Sequence, residues 1–156
     1  MGKFAALGSY STGLPIVMAR VAQIGIALGV LGIVLVLIGL FPGVTGISPT
    51  ANIGIAQIIA MLAGMAGLIL GALIYARFTF FENHVANLTQ QIGTRLALTG
   101  LLFASLSGTA DILGFGSHTL DSEVLLGSLQ LVGVIGFFLM AAFGVLIYVV
   151  AGINDQ

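Results

Sequence analysis

Four stretches of this chain are long and apolar: one between Arg20 and Pro42, one between Asn52 and Arg77, one from after Arg95 to about Leu113, and one from about Val124 to Ile153, with Asp111, near the end of the third, the one charged side chain within them. At a rise of 1.5 Å per residue, about 20 apolar residues cross the roughly 30 Å hydrocarbon of a bilayer as an α-helix. The stretches therefore predict an all-α integral membrane protein with four transmembrane helices, within which every backbone polar group is satisfied inside its own helix. Composition agrees: 59% of the 156 residues are apolar and 6% are charged, where a soluble domain carries about 25% charged residues. A single membrane domain spanning 1–156 is expected.

The same numbers exclude several classes of function. A net charge of −1 offers no basic stripe for phosphates, so no nucleic acid partner is expected. With no cysteine there are no disulfides, thiolate metal sites or cysteine nucleophiles, and two histidines without a carboxylate cluster predict no metal site. Neither H-E-x-x-H, G-x-S-x-G, a P-loop nor a dinucleotide fingerprint occurs, and no enzyme activity is expected. The first apolar stretch exceeds a signal-peptide core and no A-x-A-like site follows it, so it reads as a helix that stays in the chain.

Orientation follows from the basic residues. Lys3 and Arg20 precede the first stretch, and Arg77 and Arg95 flank the connection between the second and third, so in a four-span chain all four lie on one side. That side is expected to be cytoplasmic, with both termini inside and the chain in a plasma (inner) membrane of bacterial type. The opposite side carries Asp111, His118, Asp121 and Glu123, with compact turns at Pro42, Gly43, Gly46 and Pro49 and again at Gly114, Gly116 and Ser117. Phe78, Phe80 and Phe81 mark the interface at the basic end. Asn87-Leu88-Thr89 matches a glycosylation sequon, but on the cytoplasmic side it reads as chance.

The chain also resembles itself. At an offset of 75, Arg20, Ala22, Gly25, Leu31 and Gly39 fall on Arg95, Ala97, Gly100, Leu106 and Gly114; at 73, Gly54, Gln57, Gly71, Leu73, Ile74 and Tyr75 fall on Gly127, Gln130, Gly144, Leu146, Ile147 and Tyr148. Since Arg, Gln and Tyr are scarce here, a tandem duplication of a two-helix hairpin is expected, repeat 1 at about 20–76 and repeat 2 at about 95–149. Two spans per unit return the chain to the same side, so the copies would be parallel.

Small residues are spaced to form stripes. Gly25, Gly29, Gly32 and Val36 share a face of the first helix, as do Ala56, Ala60, Gly64, Gly67 and Gly71 of the second. In lipid, helices associate by close backbone approach, which GxxxG-type spacing permits, so these predict packing seams. The third helix would continue the pattern with Gly100, Ala104, Ser107 and Asp111, while Gly133, Gly136 and Gly144 on the fourth would remain available to neighbours.

Two polar groups stand out. Asp111 falls on a seam where the first repeat has Val36, and Ser107, Gln57, Gln130 and His118 are its possible hydrogen-bond partners in an outer-side binding cluster; the plainer reading is an interfacial carboxylate ending a helix. Glu82-Asn83-His84 reads as a solvated loop. Both histidines fall at or beyond helix ends, so no haem or pigment ligation is indicated, and membrane lipid is the expected companion. Together these features predict a structural or accessory subunit of a larger membrane complex (respiratory, photosynthetic or transport), contacting other subunits or itself. The alternative is a homo-oligomeric channel or small-solute carrier, which needs a polar path.

Overall fold

A computed structural model describes residues 8–46, 54–81, 86–110, 113–114 and 127–154. These form four α-helices: α1, Gly8–Leu40; α2, Ile55–Phe80; α3, Leu88–Thr109; and α4, Ser128–Ile153. A single 3-10 turn, Pro42–Thr45, follows α1; it starts with a proline, which needs no N–H partner there, and stops at Gly46. Gly46 takes φ 75°, a left-handed conformation that glycine adopts without a Cβ penalty.

Three segments are long and apolar enough to cross a membrane: Ile16–Leu40, Ile55–Phe80 and Ser128–Ile153. The third helix differs from expectation. It begins at Leu88 rather than after Arg95, because Asn87 and Gln90 build a helix start there: Gln90 N–H donates to Asn87 Oδ1 at 2.6 Å, and Asn87 N–H to Gln90 Oε1 at 3.2 Å. Gln90, Gln91, Thr94 and Arg95 are thus helical, and the uncharged remainder, Leu96 to Thr109, covers only about 21 Å. Arg20 likewise lies inside its helix, since α1 starts at Gly8.

The helices pair as two hairpins. α1 packs along α2 and α3 along α4; α2 alone also lies against both helices of the second hairpin, with which α1 makes no more than a passing contact. The order across the molecule is therefore α1, then α2, then the α3/α4 pair. Where α2 meets that pair, Ile69, Ala97, Leu101 and Ala141 are buried together, supported by Leu73, Phe138 and Val145. A second cluster at the basic end joins Ala76, Phe81 and Tyr148, with the Phe81 and Tyr148 rings edge to face at 5.6 Å. Outward, large apolar side chains dominate: Ile24, Val30, Leu31 and Leu37 on α1, and Val132, Leu139, Phe143 and Leu146 on α4, all stand half or more exposed. Water would penalise such a surface, whereas lipid tails match it.

Candidate functional site

The helices approach one another closely, backbone against backbone, at small residues. In the first hairpin a Cβ added to Gly32 would lie 2.6 Å from Gly64 O and Leu68 N, one on Gly64 2.6 Å from Gly32 O, and one on Gly71 2.6 Å from Gly29 N and 2.7 Å from Gly25 O. A Cβ on Gly25 would lie 2.8 Å from Tyr75 N, and one on Gly67 3.3 Å from Leu28 O. Gly29 differs: its own Cβ would meet nothing, but its backbone receives Gly71. Since the opposing atoms are backbone, no rotamer change can make room for a side chain.

The second hairpin closes in the same way. A Cβ on Gly93 would lie 2.7 Å from Gly144 O and Tyr148 N, one on Gly100 2.7 Å from Phe137 O and Ala141 N, and one on Gly144 would meet Gly93 O and Ala97 N. Gly144, expected to face neighbours, is thus buried in the α3/α4 seam, because its small size is what lets α3 approach. Gly136 is exposed and meets nothing within 4 Å, and Gly133 faces the Ser107 hydroxyl.

The partners of these glycines follow a different register from the 75-residue alignment. Gly25 faces Gly71 and Tyr75, whose counterparts 73 residues on are Gly144 and Tyr148; the residue facing those is Gly93, not Gly100. Gly32, against Gly64 and Leu68, corresponds likewise to Gly100, against Phe137 and Ala141. By what they face, Gly25 and Gly32 match α3 positions 68 residues on, two helical turns from the 75-residue alignment. A sequence signal for this existed: Gln23-Ile24-Gly25 recurs as Gln91-Ile92-Gly93, followed in step by Leu28 and Leu96, Gly29 and Ala97, Gly32 and Gly100. Pairing the scarce Arg20 with Arg95 obscured it. The α3 stripe correspondingly starts at Gly93 and Ala97, ahead of Gly100, Ala104 and Ser107.

The outer polar cluster is drawn together only in part. Asp111 and His118 lie outside the described residues, as do Glu82, Asn83 and His84. Ser107 Oγ donates to Gln130 O at 3.1 Å, and in the corresponding place of the first hairpin a Cβ on Gly39 would stand 3.0 Å from Gln57 O. The glutamine side chains do not converge with Ser107. Gln57 Oε1 accepts from Gly54 N–H at 2.7 Å and Gln130 Oε1 from Gly127 N–H at 3.0 Å, each turning back on the start of its own helix.

At the basic end the structure assembles residues that the sequence reading passed over. Asn87, besides capping α3, donates from Nδ2 to Ala151 O at 3.3 Å and so ties α3 to the last turn of α4. Gln90 is 2% exposed, and its Nε2, close to Gly152 and the Phe81 ring, has no hydrogen-bond partner among the described residues. Beside this knot, between α2 and α3, a cleft of about 360 Å³ is lined by Leu73, Ile74, Arg77, Phe78, Thr94 and Tyr148. Arg77 donates from Nη1 to Phe81 O at 3.3 Å, and Thr94 Oγ1 donates to Gln90 O at 3.1 Å. A second cleft of about 360 Å³, between α2 and α4, is almost wholly apolar, with Leu68, Ala72, Phe138 and Leu146 in its walls. Among the described residues no three His, Cys, Asp or Glu side chains group to hold a metal ion. Comparison of the chain with protein-family models, curated proteins and solved structures yields no match.

Proposed function

We propose that this chain is a structural or accessory subunit of a larger membrane assembly, crossing the bilayer four times with both termini on the cytoplasmic side. One observation carries the reading: among the described residues, most of the polar side chains near the helix seams bond their own chain. Gln57, Gln90 and Gln130 hold helix starts; Ser107 bonds Gln130 O; Thr109 Oγ1 bonds Ser105 O at 2.7 Å; Thr94 bonds Gln90 O. Among the described residues, glycine backbone and apolar side chains make up most of what lies between the helices, an interior suited to holding shape rather than conducting. The broad apolar outer faces of α1 and α4 suit lateral contact with other membrane helices.

The test is purification in mild detergent or native nanodiscs, followed by mass spectrometry of what accompanies the chain. Stoichiometric membrane partners are the expected result. A lone monomer refutes the reading, and a pure homo-oligomer that passes ions or solutes in liposomes replaces it with a channel or carrier. Topology is tested in the cysteine-free background: an impermeant thiol reagent should label Gly43→Cys in intact cells and spare Asn154→Cys. The opposite pattern reverses the orientation.

A further inference from the structure

We propose that the cleft between α2 and α3 at the basic end binds one anionic phospholipid of the bilayer, its phosphate on Arg77 and the upper part of an acyl chain along Leu73, Phe78 and Tyr148. The proposal rests on the membrane setting and not on the assembly role. The cleft is built as an amphiphile is built. Arg77 lies in the last turn of α2, and its contact with Phe81 O draws the guanidinium toward the helix end, whereas Leu73, one turn deeper, begins the apolar wall. A side chain in a helix otherwise leans toward the N-terminus, here into the hydrocarbon, so the carbonyl contact places the charge at headgroup depth.

The chemistry selects a phosphate. A guanidinium matches phosphate oxygens bidentately, and basic pockets between membrane helices are where acidic headgroups dock. Thr94 sharpens the assignment: its only proton goes to Gln90 O, so it can accept from a headgroup hydroxyl but cannot donate to the phosphate, and recognition of the anion falls to Arg77. Arg20 and Arg95 are exposed and do not line the cleft, which makes them internal controls.

The experiment is native mass spectrometry of the full chain, released from detergent after exposure to equal amounts of phosphatidylglycerol and phosphatidylcholine. Wild-type chain should retain phosphatidylglycerol over phosphatidylcholine by roughly fivefold, the weight of one arginine at an acidic lipid surface. Arg77→Gln should equalise the two lipids, and Arg77→Lys should keep much of the preference, so that loss through misfolding is told from loss of charge. Thr94→Phe, which fills the cleft, should lower retention of both. No preference in the wild type, an unchanged preference in Arg77→Gln, or its loss in Arg20→Gln or Arg95→Gln would each overturn the assignment. Because the readout is retained lipid, it stands or falls separately from any partner subunit.

Discussion

The two hairpins close on the same backbone geometry with different materials. In the first, Gly25, Gly29, Gly32 and Gly39 line α1; in the second, the matching positions of α3 hold Gly93, Ala97, Gly100 and Ser107. At the last of these positions α1 offers a bare backbone beside Gln57 O, whereas α3 offers a hydroxyl that bonds Gln130 O. The second hairpin also gains the Asn87 cap and its tie to Ala151 O. α3 carries Gln90, Gln91, Thr94 and Arg95 near its start, so it is the least apolar of the four helices, and its added hydrogen bonds fall on the most polar helix. One packing geometry can thus be reached by greasy helices with bare glycines or by a more polar helix with added bonds.

The largest effect expected is from closing either seam. Gly32→Leu and Gly144→Leu should each lower stability by about 2–3 kcal/mol or more, since overpacking against backbone cannot be relieved by repacking. Thermal melts in detergent should show the two variants alike; a large loss in one and none in the other would mean that only one hairpin depends on close approach. Gly136→Leu, at an exposed site, should leave the melt unchanged and act only on assembly with neighbours, which co-purification measures. Next in size, Asn87→Ala should cost about 1 kcal/mol through the lost cap, with faster hydrogen exchange in the first turn of α3. Smallest, Ser107→Ala should cost about 0.6 kcal/mol, the average for a hydrogen bond between membrane helices. Its mirror, Gly39→Ser, asks whether the first hairpin can take up the polar design: a gain of similar size would sharpen the comparison, and a loss would show that Met61, 3.1 Å from the added Cβ, leaves no room.

Much of this was readable beforehand. Uncharged runs mark helices because no other backbone structure of that length satisfies itself in lipid, and glycine spacing marks seams because only missing side chains let membrane helices approach. Helix starts were less legible. Arg20 and Arg95 looked like membrane borders, but a helix continues through charge once its first N–H groups are capped, and the Asn87–Gln90 signature shows this locally. The 75-residue alignment and the packing differ for a related reason: rarity gives the arginines weight, whereas the glycines of the Gln-Ile-Gly triplets are the residues that meet the partner helix. The tie to Ala151 joins the two helices of the second hairpin, and the cleft at Arg77 joins residues from both hairpins, and no spacing within one helix foretells either.

If α3 crosses the bilayer as proposed, its short uncharged reach bears on the lipid around it. About 21 Å of helix beside the 26-residue α4 gives the second hairpin two unequal hydrophobic heights on adjacent flanks. In the four-span arrangement proposed above, a membrane of ordinary thickness would thin beside α3, or Arg95 would reach back toward the headgroups, with an energetic cost of a fraction of a kcal/mol per ångström of mismatch. Such a dent is shared most cheaply by neighbours that are also short on that side. The chain would then sort its companions by thickness, an elastic preference exerted without any specific contact.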